Sequence, residues 1–239
     1  MTTERVLLHA GIADSRMYRQ QLETLAPARS FDLPGFGTEP LDSDAVDYRA
    51  FVRDHLPPEP VTLIGTSMGG AIALELALES PERVAALVLV GPGLEGHEWS
   101  EETRTSWQEE EEAFERGDLD AAVEVNLRVW LPDDVDPQVR ALVADMQRNA
   151  FELQAGHDDL RTKKLEPPAS TRLTEVAVPT LVVTGDEDVR DIHVIADKLA
   201  TEIPGAGRAT IAGSGHLPSL ERPDEFDAVV LAFLRKHGV

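Results

Sequence analysis

The sequence predicts an α/β fold, a mostly parallel sheet of about six strands flanked by helices, with a helical lid inserted after the fourth strand. Short apolar runs rich in β-branched residues alternate with segments whose apolar residues recur at helical spacing. Several runs are apolar throughout, as expected of strands buried on both faces of a parallel sheet. Residues 94–172 break this alternation, so we expect them to form the lid (cap), and residues 1–93 and 173–239 to form the core.

The first part of the core contains four expected strands with helices between them. Each strand is a short apolar run, and each helix has apolar residues three or four positions apart. A loop rich in Pro and Gly, 34–37, closes the second strand, and prolines at 57, 58 and 81 stop two of the helices. The expected strands are 6–8, 28–33, 61–66 and 84–90, and the expected helices cover 17–25, 48–56 and 71–78.

The last part of the core repeats the alternation twice. The expected strands are 179–185 and 208–213, and the expected helices are 192–203 and 223–235. In parallel sheets of this kind, ligands bind at the carboxyl ends of the strands. Four polar residues directly follow predicted strands, which predicts that they share one edge of the sheet; they are His9, Ser67, Asp188 and His216.

Length, composition and charge bound the function. A chain of 239 residues fits one domain with an insertion, and the absence of cysteine excludes disulfides, thiolate metal sites and thiol catalysis. The net charge of −22 and the lack of a Lys/Arg patch argue against a nucleic-acid partner. No stretch approaches a membrane span and the first residues lack the apolar run of a signal peptide, so we expect a cytoplasmic protein with no membrane partner.

Neither a cofactor nor a metal ion is expected. Residues 91–96 spell G-x-G-x-x-G after a strand, but Pro92 and Gly96 interrupt the chain where a dinucleotide site needs a helix to begin. The sequence also has no phosphate-loop lysine and no clustered His/Glu metal pattern.

The strongest chemical signal is the segment 61–70, which reads VTLIGTSMGG. A strand, then Gly-x-Ser-x-Gly, then an Ala/Leu-rich helix is the context of a nucleophile elbow, in which a strained turn exposes the hydroxyl of Ser67 above the sheet. The bare pattern arises by chance in roughly one chain in ten of this length. The interpretation therefore depends on its flanks and on partner residues elsewhere.

A serine hydroxyl needs a base to become nucleophilic, and the base needs an acid to orient it. His216, in a Gly-rich loop after the last strand, is the predicted base. Asp188, the third residue past the fifth strand, is the predicted acid. Asp186, Glu187 and Asp191 are the competing surface acids, and Asp191 is also a candidate cap of the next helix.

An acyl-transfer site also needs donors for the oxyanion. The N–H of Met68 follows the nucleophile, and Gly11, in the loop after the first strand, is the expected second donor. We expect His9 to brace that loop rather than to take part in the chemistry.

The lid contains all three tryptophans. For any single tryptophan, the better interpretation is a place in a small core within the lid. We nevertheless expect some of the three to line a pocket. The candidate substrate contacts are Ile12, Trp107, Trp130 and Leu217.

The chain resembles the lid-bearing esterase and enol-lactonase-like branch of the α/β-hydrolase-fold serine hydrolases over nearly its whole length. The residues that carry the resemblance are His9, 32–37, 65–70, 80–84, 185–188, 215–216 and 221–223. The resemblance implies a catalytic triad of Ser67 as nucleophile, Asp188 as orienting acid and His216 as base. It also implies that Gly11 and Met68 form the oxyanion hole.

The chain departs from the family pattern in three places. Ala10 follows His9 where the family usually has glycine, and Thr66 replaces the commoner histidine before the nucleophile. We expect no leading β-hairpin of the family type, because the first predicted strand matches the family's third. We therefore expect the strand order 4-3-5-6-7-8 in family numbering.

These observations predict a cofactor-free carboxylesterase that cleaves a small to medium carboxylic ester through an acyl-enzyme. The alternatives are a lactonase or enol-lactonase, a C–C bond hydrolase or a perhydrolase using the same triad, or a non-catalytic ligand-binding homologue. The expected partner is a small-molecule ester, and the expected assembly is a monomer or homodimer. The acidic lid disfavours strongly anionic substrates, although Arg161, Lys163 and Lys164 offer positive charge locally.

Overall fold

A parallel sheet of six strands forms the centre of the computed structural model, which describes residues 3–157 and 160–239. The strands are β1 (Arg5–Leu8), β2 (Ala28–Ser30), β3 (Ala45–Val46), β4 (Val61–Thr66), β5 (Val84–Val90), β6 (Arg161–Thr162), β7 (Thr180–Gly185) and β8 (Gly207–Ile211). The central sheet has the order β2–β1–β4–β5–β7–β8, and every neighbouring pair is parallel. This confirms the predicted sheet and the strand order expected from the family pattern.

Helices connect the strands at or near the predicted positions. They are α1 (Arg19–Thr24), α2 (Tyr48–His55), α3 (Met68–Glu79), α4 (Glu101–Glu115), α5 (Leu119–Trp130), α6 (Pro137–Gln154), α7 (Arg190–Glu202), α8 (Pro218–Glu221) and α9 (Pro223–His237). A 3-10 turn, Ser15–Tyr18, precedes α1, so the single helix predicted over 17–25 is two shorter pieces.

The inner strands show why the sheet could be recognised from sequence. Every residue of β4 and of β7 is buried, and Leu63 and Ile64 have no exposed surface. Burying one such side chain contributes about 1.5–3 kcal/mol, so continuous apolar runs are favoured there. β2 is shorter than predicted, because the N–H of Leu33 donates to Nε2 of His9 (3.0 Å) instead of continuing the ladder.

Residues 94–172, called the insertion below, carry α4, α5 and α6 between β5 and β7. The expectation that this region has no strand is wrong in one detail, because β6 pairs with β3 in a two-stranded parallel sheet. Arg161 N–H donates to Asp44 O (2.7 Å) and Lys163 N–H donates to Val46 O (2.8 Å). The side chains of β6 are exposed, so backbone bonds hold this pair without an apolar run in the sequence. The predicted core and lid ranges lie within the described residues except at 1, 2, 158 and 159.

Asp191, in the first turn of α7, joins the insertion to the core. Its carboxylate accepts hydrogen bonds from Nε2 of His97 (3.0 Å), from the N–H (3.0 Å) and hydroxyl (2.6 Å) of Ser100, and from the hydroxyl of Thr103 (2.6 Å). The interpretations as a surface acid or as the cap of α7 are both wrong, because Asp191 is buried and Val189 precedes that helix. Burial alone would raise the pKa of Asp191, but these hydrogen bonds outweigh it and lower the pKa.

We expect Asp191→Asn to lower the free energy of unfolding by about 2 kcal/mol at pH 7, because buried hydrogen bonds to a charged acceptor are lost. A depressed folded-state pKa gives stabilisation that is fully present above the unfolded value of about 3.9, decreases below it, and is lost as pH falls through the folded-state pKa. Urea unfolding at pH 7 and at pH 3 should therefore show a variant-to-wild-type gap that shrinks in acid. Asp197→Asn, an exposed change on the same helix, is the control. A gap that is equal at both pH values would contradict the assignment.

Candidate active site

Ser67 lies in a strained turn between β4 and α3. Its φ of 53° and ψ of −112° make it the one non-glycine residue with positive φ in the described part of the chain. Its N–H donates to Val90 O (2.8 Å) at the end of β5, and its carbonyl accepts from Gly93 N–H (3.2 Å). Such a conformation costs about 1–3 kcal/mol and persists where surrounding contacts enforce it, typically at functional sites.

The glycines of the Gly-x-Ser-x-Gly motif allow the backbone to pack this closely. A methyl group on Gly69 would lie 2.2 Å from Leu8 O, and one on Gly65 would lie 2.3 Å from Gly69 O. Both distances are far below van der Waals contact, so any side chain there would separate α3 from β1 and β4. The two glycines of the motif are therefore required by packing at this turn.

Gly69→Ala is expected to lower the free energy of unfolding by about 3 kcal/mol, because the added methyl overpacks a buried backbone contact. Urea unfolding would measure this loss. Gly93→Ala is the matched control, since a methyl at position 93 meets only the Cβ of Ala71 at 3.9 Å. Equal losses in the two variants would show that the close approach at Gly69 has no energetic weight.

His216 and Asp188 form a buried pair next to this turn. The carboxylate of Asp188 accepts from Nδ1 of His216 at 2.8 Å (Oδ2) and 3.1 Å (Oδ1), and the histidine is 1% exposed. This bond places the proton on Nδ1 and leaves Nε2 as an acceptor. Nε2 is buried and has no hydrogen-bond partner among the described residues.

The end of β5 brings Ser67, Asp188 and His216 together. A methyl group on Gly91 would lie 3.1 Å from both Oδ2 of Asp188 and Nδ1 of His216. Val90, the residue before it, accepts the N–H of Ser67. The backbone turn at Ser67 and the Asp188–His216 pair therefore lie beside consecutive residues, Val90 and Gly91, at the carboxyl edge of the sheet, as expected from the α/β topology.

The histidine loop, residues 213–217, is held by a carboxylate that the sequence analysis left without a role. Oε2 of Glu221 accepts from Gly215 N–H (2.6 Å) and Oε1 accepts from Leu217 N–H (2.7 Å), on either side of His216. Burial raises the pKa of Glu221, although these N–H groups oppose the shift. An acid one helical turn after the Gly-His turn is the sequence signal that could have found it.

The two expected oxyanion donors come from neighbouring segments. Met68 is the first residue of α3, so its N–H has no intrahelical acceptor. A methyl group on Gly11 would be 3.9 Å from Cβ of Met68, which places the loop after β1 beside the start of α3.

His9 braces the loop that carries Gly11, as predicted. Its side chain has no exposed surface, Nδ1 donates to Ala10 O (2.9 Å), and Nε2 accepts from Leu33 N–H (3.0 Å). The accepting role of Nε2 requires a neutral ring, and burial lowers the pKa of His9.

Thr66 takes part in a buried hydroxyl pair that the sequence analysis missed. Tyr18 donates its phenolic proton to Leu8 O (3.0 Å), so the hydroxyl of Thr66, 2.7 Å from the phenol oxygen, must donate to Tyr18. Burial raises the pKa of Tyr18. This pair links the residue before Ser67 to the 3-10 turn ahead of α1.

A cavity of about 450 Å³ lies beside the start of α3. Its wall near Met68 includes the apolar residues Ile72, Leu94 and Trp99. Its far end holds Arg49, buried and paired with Glu75 (Nη1 to Oε2, 3.1 Å). Polarity therefore increases along α3, away from the nucleophile turn.

The four predicted substrate contacts lie outside the described lining of this cavity. Ile12 and Leu217 are buried next to the oxyanion and histidine positions. Trp107 is 38% exposed and packs against Trp99, with ring centroids 4.9 Å apart. Trp130 is buried against the ring of His216 instead.

Two other kinds of feature are absent from the described residues. Within 3–157 and 160–239, no helix is both long and apolar enough to cross a membrane. The same ranges contain no group of three or more His, Asp or Glu side chains placed to hold a metal ion.

Comparisons with known proteins identify the family and the fold. The profile of the alpha/beta hydrolase family matches residues 6–229. The 2-hydroxy-6-oxononadienedioate/2-hydroxy-6-oxononatrienedioate hydrolase of Comamonas testosteroni is 33% identical over 77% of this chain and 65% of that enzyme, so the chain spans just under two thirds of its length.

Two further proteins are similar over most of the chain. The pimeloyl-(acyl-carrier protein) methyl ester esterase of Nitrosomonas europaea is 26% identical over 92% of this chain and 91% of that enzyme. The crystal structure of the enol-lactonase from Burkholderia xenovorans superposes with a TM-score of 0.79 at 22% identity, covering 98% of this chain and 92% of that one. The last similarity concerns the fold alone.

Proposed function

This chain belongs to the alpha/beta hydrolase family, and from this premise we propose that it is a hydrolase that cleaves a small to medium carboxylic ester through an acyl-enzyme on Ser67. The observation that supports the proposal most is the pairing of His216 with Asp188 beside the strained Ser67. A serine nucleophile requires a base that is oriented through Nδ1 and whose Nε2 is free to accept a proton. Nε2 of His216 has no hydrogen-bond partner among the described residues.

The proposed reaction begins with proton transfer from Oγ of Ser67 to Nε2 of His216 as Oγ attacks the ester carbonyl. The tetrahedral oxyanion accepts hydrogen bonds from the N–H groups of Gly11 and Met68. The imidazolium then gives its proton to the departing alcohol, leaving the acyl group on Ser67. Water, deprotonated by His216, attacks the acyl carbonyl and releases the acid with both side chains restored.

Each group has a distinct share of the rate enhancement. Asp188 keeps the proton of neutral His216 on Nδ1 and stabilises the imidazolium that forms in each half-reaction. Each oxyanion donor is worth about 3–4 kcal/mol in the transition state. Nε2 of His216 has no hydrogen-bond partner among the described residues, and catalytic hydrogen bonds of this kind commonly tighten only when substrate binds.

The cavity beside Met68 supports a substrate of limited length. An alkyl chain extended along α3 would pass Ile72 and then reach the Arg49–Glu75 ion pair. Covering this pair with hydrocarbon would remove water without supplying new polar partners. We therefore propose that the insertion acts as a lid and that short or polar-ended chains are accepted better than long alkyl chains.

Lactonase or enol-lactonase, C–C bond hydrolase and perhydrolase activities remain alternatives, because the same three side chains can serve each of them. Two relatives are named as a dienedioate hydrolase and as a methyl ester esterase. These names support hydrolysis in general and do not select among the substrates. A non-catalytic ligand-binding protein is the alternative from another class.

A fluorophosphonate probe followed by peptide mass spectrometry tests the nucleophile. We expect one adduct, on Ser67, in folded protein; no adduct would favour the ligand-binding alternative. A panel of 4-nitrophenyl esters from acetate to decanoate, with a γ-lactone alongside, then tests the substrate. We expect kcat/KM to peak at short chains and to fall for decanoate. Turnover of the lactone alone would replace the ester assignment with a lactonase.

A further inference from the structure

Trp130, the last residue of α5 in the insertion, lies against the ring of His216 in the core. Their ring centroids are 4.3 Å apart with the planes inclined by 36°, and both side chains are buried. The sequence predicts Trp130 to be a substrate contact. The structure places it on the face of the imidazole.

The backbone makes the same connection. The last carbonyls of a helix lack intrahelical donors, and the carbonyl of Trp130 is used by His216, whose N–H donates to it at 3.0 Å. A methyl group on Gly215 would lie 3.0 Å from that carbonyl oxygen and 2.8 Å from Cδ of Pro132. The corner after α5 therefore rests directly on the histidine loop.

Three groups thus fix His216 from different sides. Asp188 holds Nδ1 at one edge of the ring, and Glu221 holds the backbone N–H groups of Gly215 and Leu217. The indole of Trp130 covers a face of the His216 ring, and the carbonyl of Trp130 accepts the backbone N–H of His216. Of these, only Trp130 belongs to the insertion.

We propose that Trp130 is a positioning residue for the base, so that the insertion supplies part of the support of His216 as well as covering the substrate. This inference rests on the proposed function. An indole face attracts a cation more than a neutral ring, so Trp130 stabilises the imidazolium that exists only after Ser67 has given up its proton. Its contribution therefore falls on the chemical steps rather than on substrate binding.

The test compares Trp130→Phe with Trp130→Leu, using 4-nitrophenyl butyrate. The leucine variant keeps an apolar, buried group but has no aromatic face, and we expect its kcat to fall about tenfold with KM nearly unchanged. The phenylalanine variant keeps a weaker aromatic face, and we expect it to recover most of the loss, to within about threefold of wild type. Val123→Ala, two turns earlier on α5, is the control for loosening the helix, and should lower the unfolding temperature while kcat stays the same.

The results separate this inference from the proposed function. If wild type neither reacts with the fluorophosphonate at Ser67 nor turns over esters, the proposed function fails. If wild type is active but the two Trp130 variants have equal kcat, or kcat follows the unfolding temperature in all three variants, Trp130 has only a structural role. If Trp130→Leu does not fold, Trp130→Phe is compared with wild type alone. We expect its kcat to fall about threefold with KM unchanged, and an unchanged kcat would overturn the proposal.

Discussion

Ser67→Ala is expected to lower kcat for ester hydrolysis by about a million-fold, to the residual level that binding and the oxyanion donors alone provide. The variant keeps the backbone turn but removes the atom that forms the acyl-enzyme, so no partial pathway through His216 remains. Steady-state rates with 4-nitrophenyl butyrate, and loss of the fluorophosphonate adduct, would measure the effect. Ser43→Ala, in an exposed loop, is the matched control and should be fully active.

A second substitution at the same position separates strain from chemistry. Ser67→Gly removes the same hydroxyl, but glycine adopts a φ of 53° without the steric cost that a side chain brings. We expect it to be as inactive as Ser67→Ala and more stable than wild type by about 1 kcal/mol. Activity in either variant well above the expected million-fold-reduced level would show that another group is the nucleophile.

The parts of the fold that the sequence predicted are those governed by local composition. β4, β5 and β7 are continuous apolar runs because they are buried on both faces, and that burial is visible in any single stretch. The Gly-x-Ser-x-Gly turn is equally local, since a methyl on Gly69 would collide with Leu8 O whatever else the chain does.

The parts that the sequence did not predict depend on contacts between distant segments. Asp191 resembles an ordinary acid in the first turn of a helix, and its partners Ser100 and Thr103 lie about ninety residues earlier in the chain. Trp130 fits a small lid core as well as it fits a place over His216. β6 pairs with β3 through backbone atoms alone, which leave no mark in side-chain periodicity.

The site shows the same division. Ser67 and His216 could be predicted because each is a reactive residue type that directly follows a strand. The carboxyl ends of parallel strands meet at one edge of the sheet. The choice of Asp188 over its neighbours needed the direction of the turn after β7. In the structure Asp188 faces Nδ1 of His216, whereas Asp186 accepts from Gly213 N–H (2.7 Å) at the start of the histidine loop.

Asp188→Asn is expected to lower kcat by about ten-thousand-fold while the protein stays folded. An asparagine keeps an oxygen that can accept the N–H of Val189, as Oδ1 of Asp188 does at 2.8 Å, so the start of α7 is preserved. It removes the negative charge beside the imidazolium, and its amide N–H₂ can turn toward Nδ1. Neutral His216 would then carry its proton on Nε2, where it cannot accept from Ser67.

The matched control for this variant is Glu187→Gln, which changes an exposed acid one position earlier and should leave kcat unchanged. Rates with 4-nitrophenyl butyrate and the rate of fluorophosphonate labelling should fall together in Asp188→Asn, since both need the same proton transfer. If Asp188→Asn kept a tenth or more of wild-type activity, the carboxylate would not be what orients the base, and the support of His216 by Glu221 and Trp130 would have to suffice by itself.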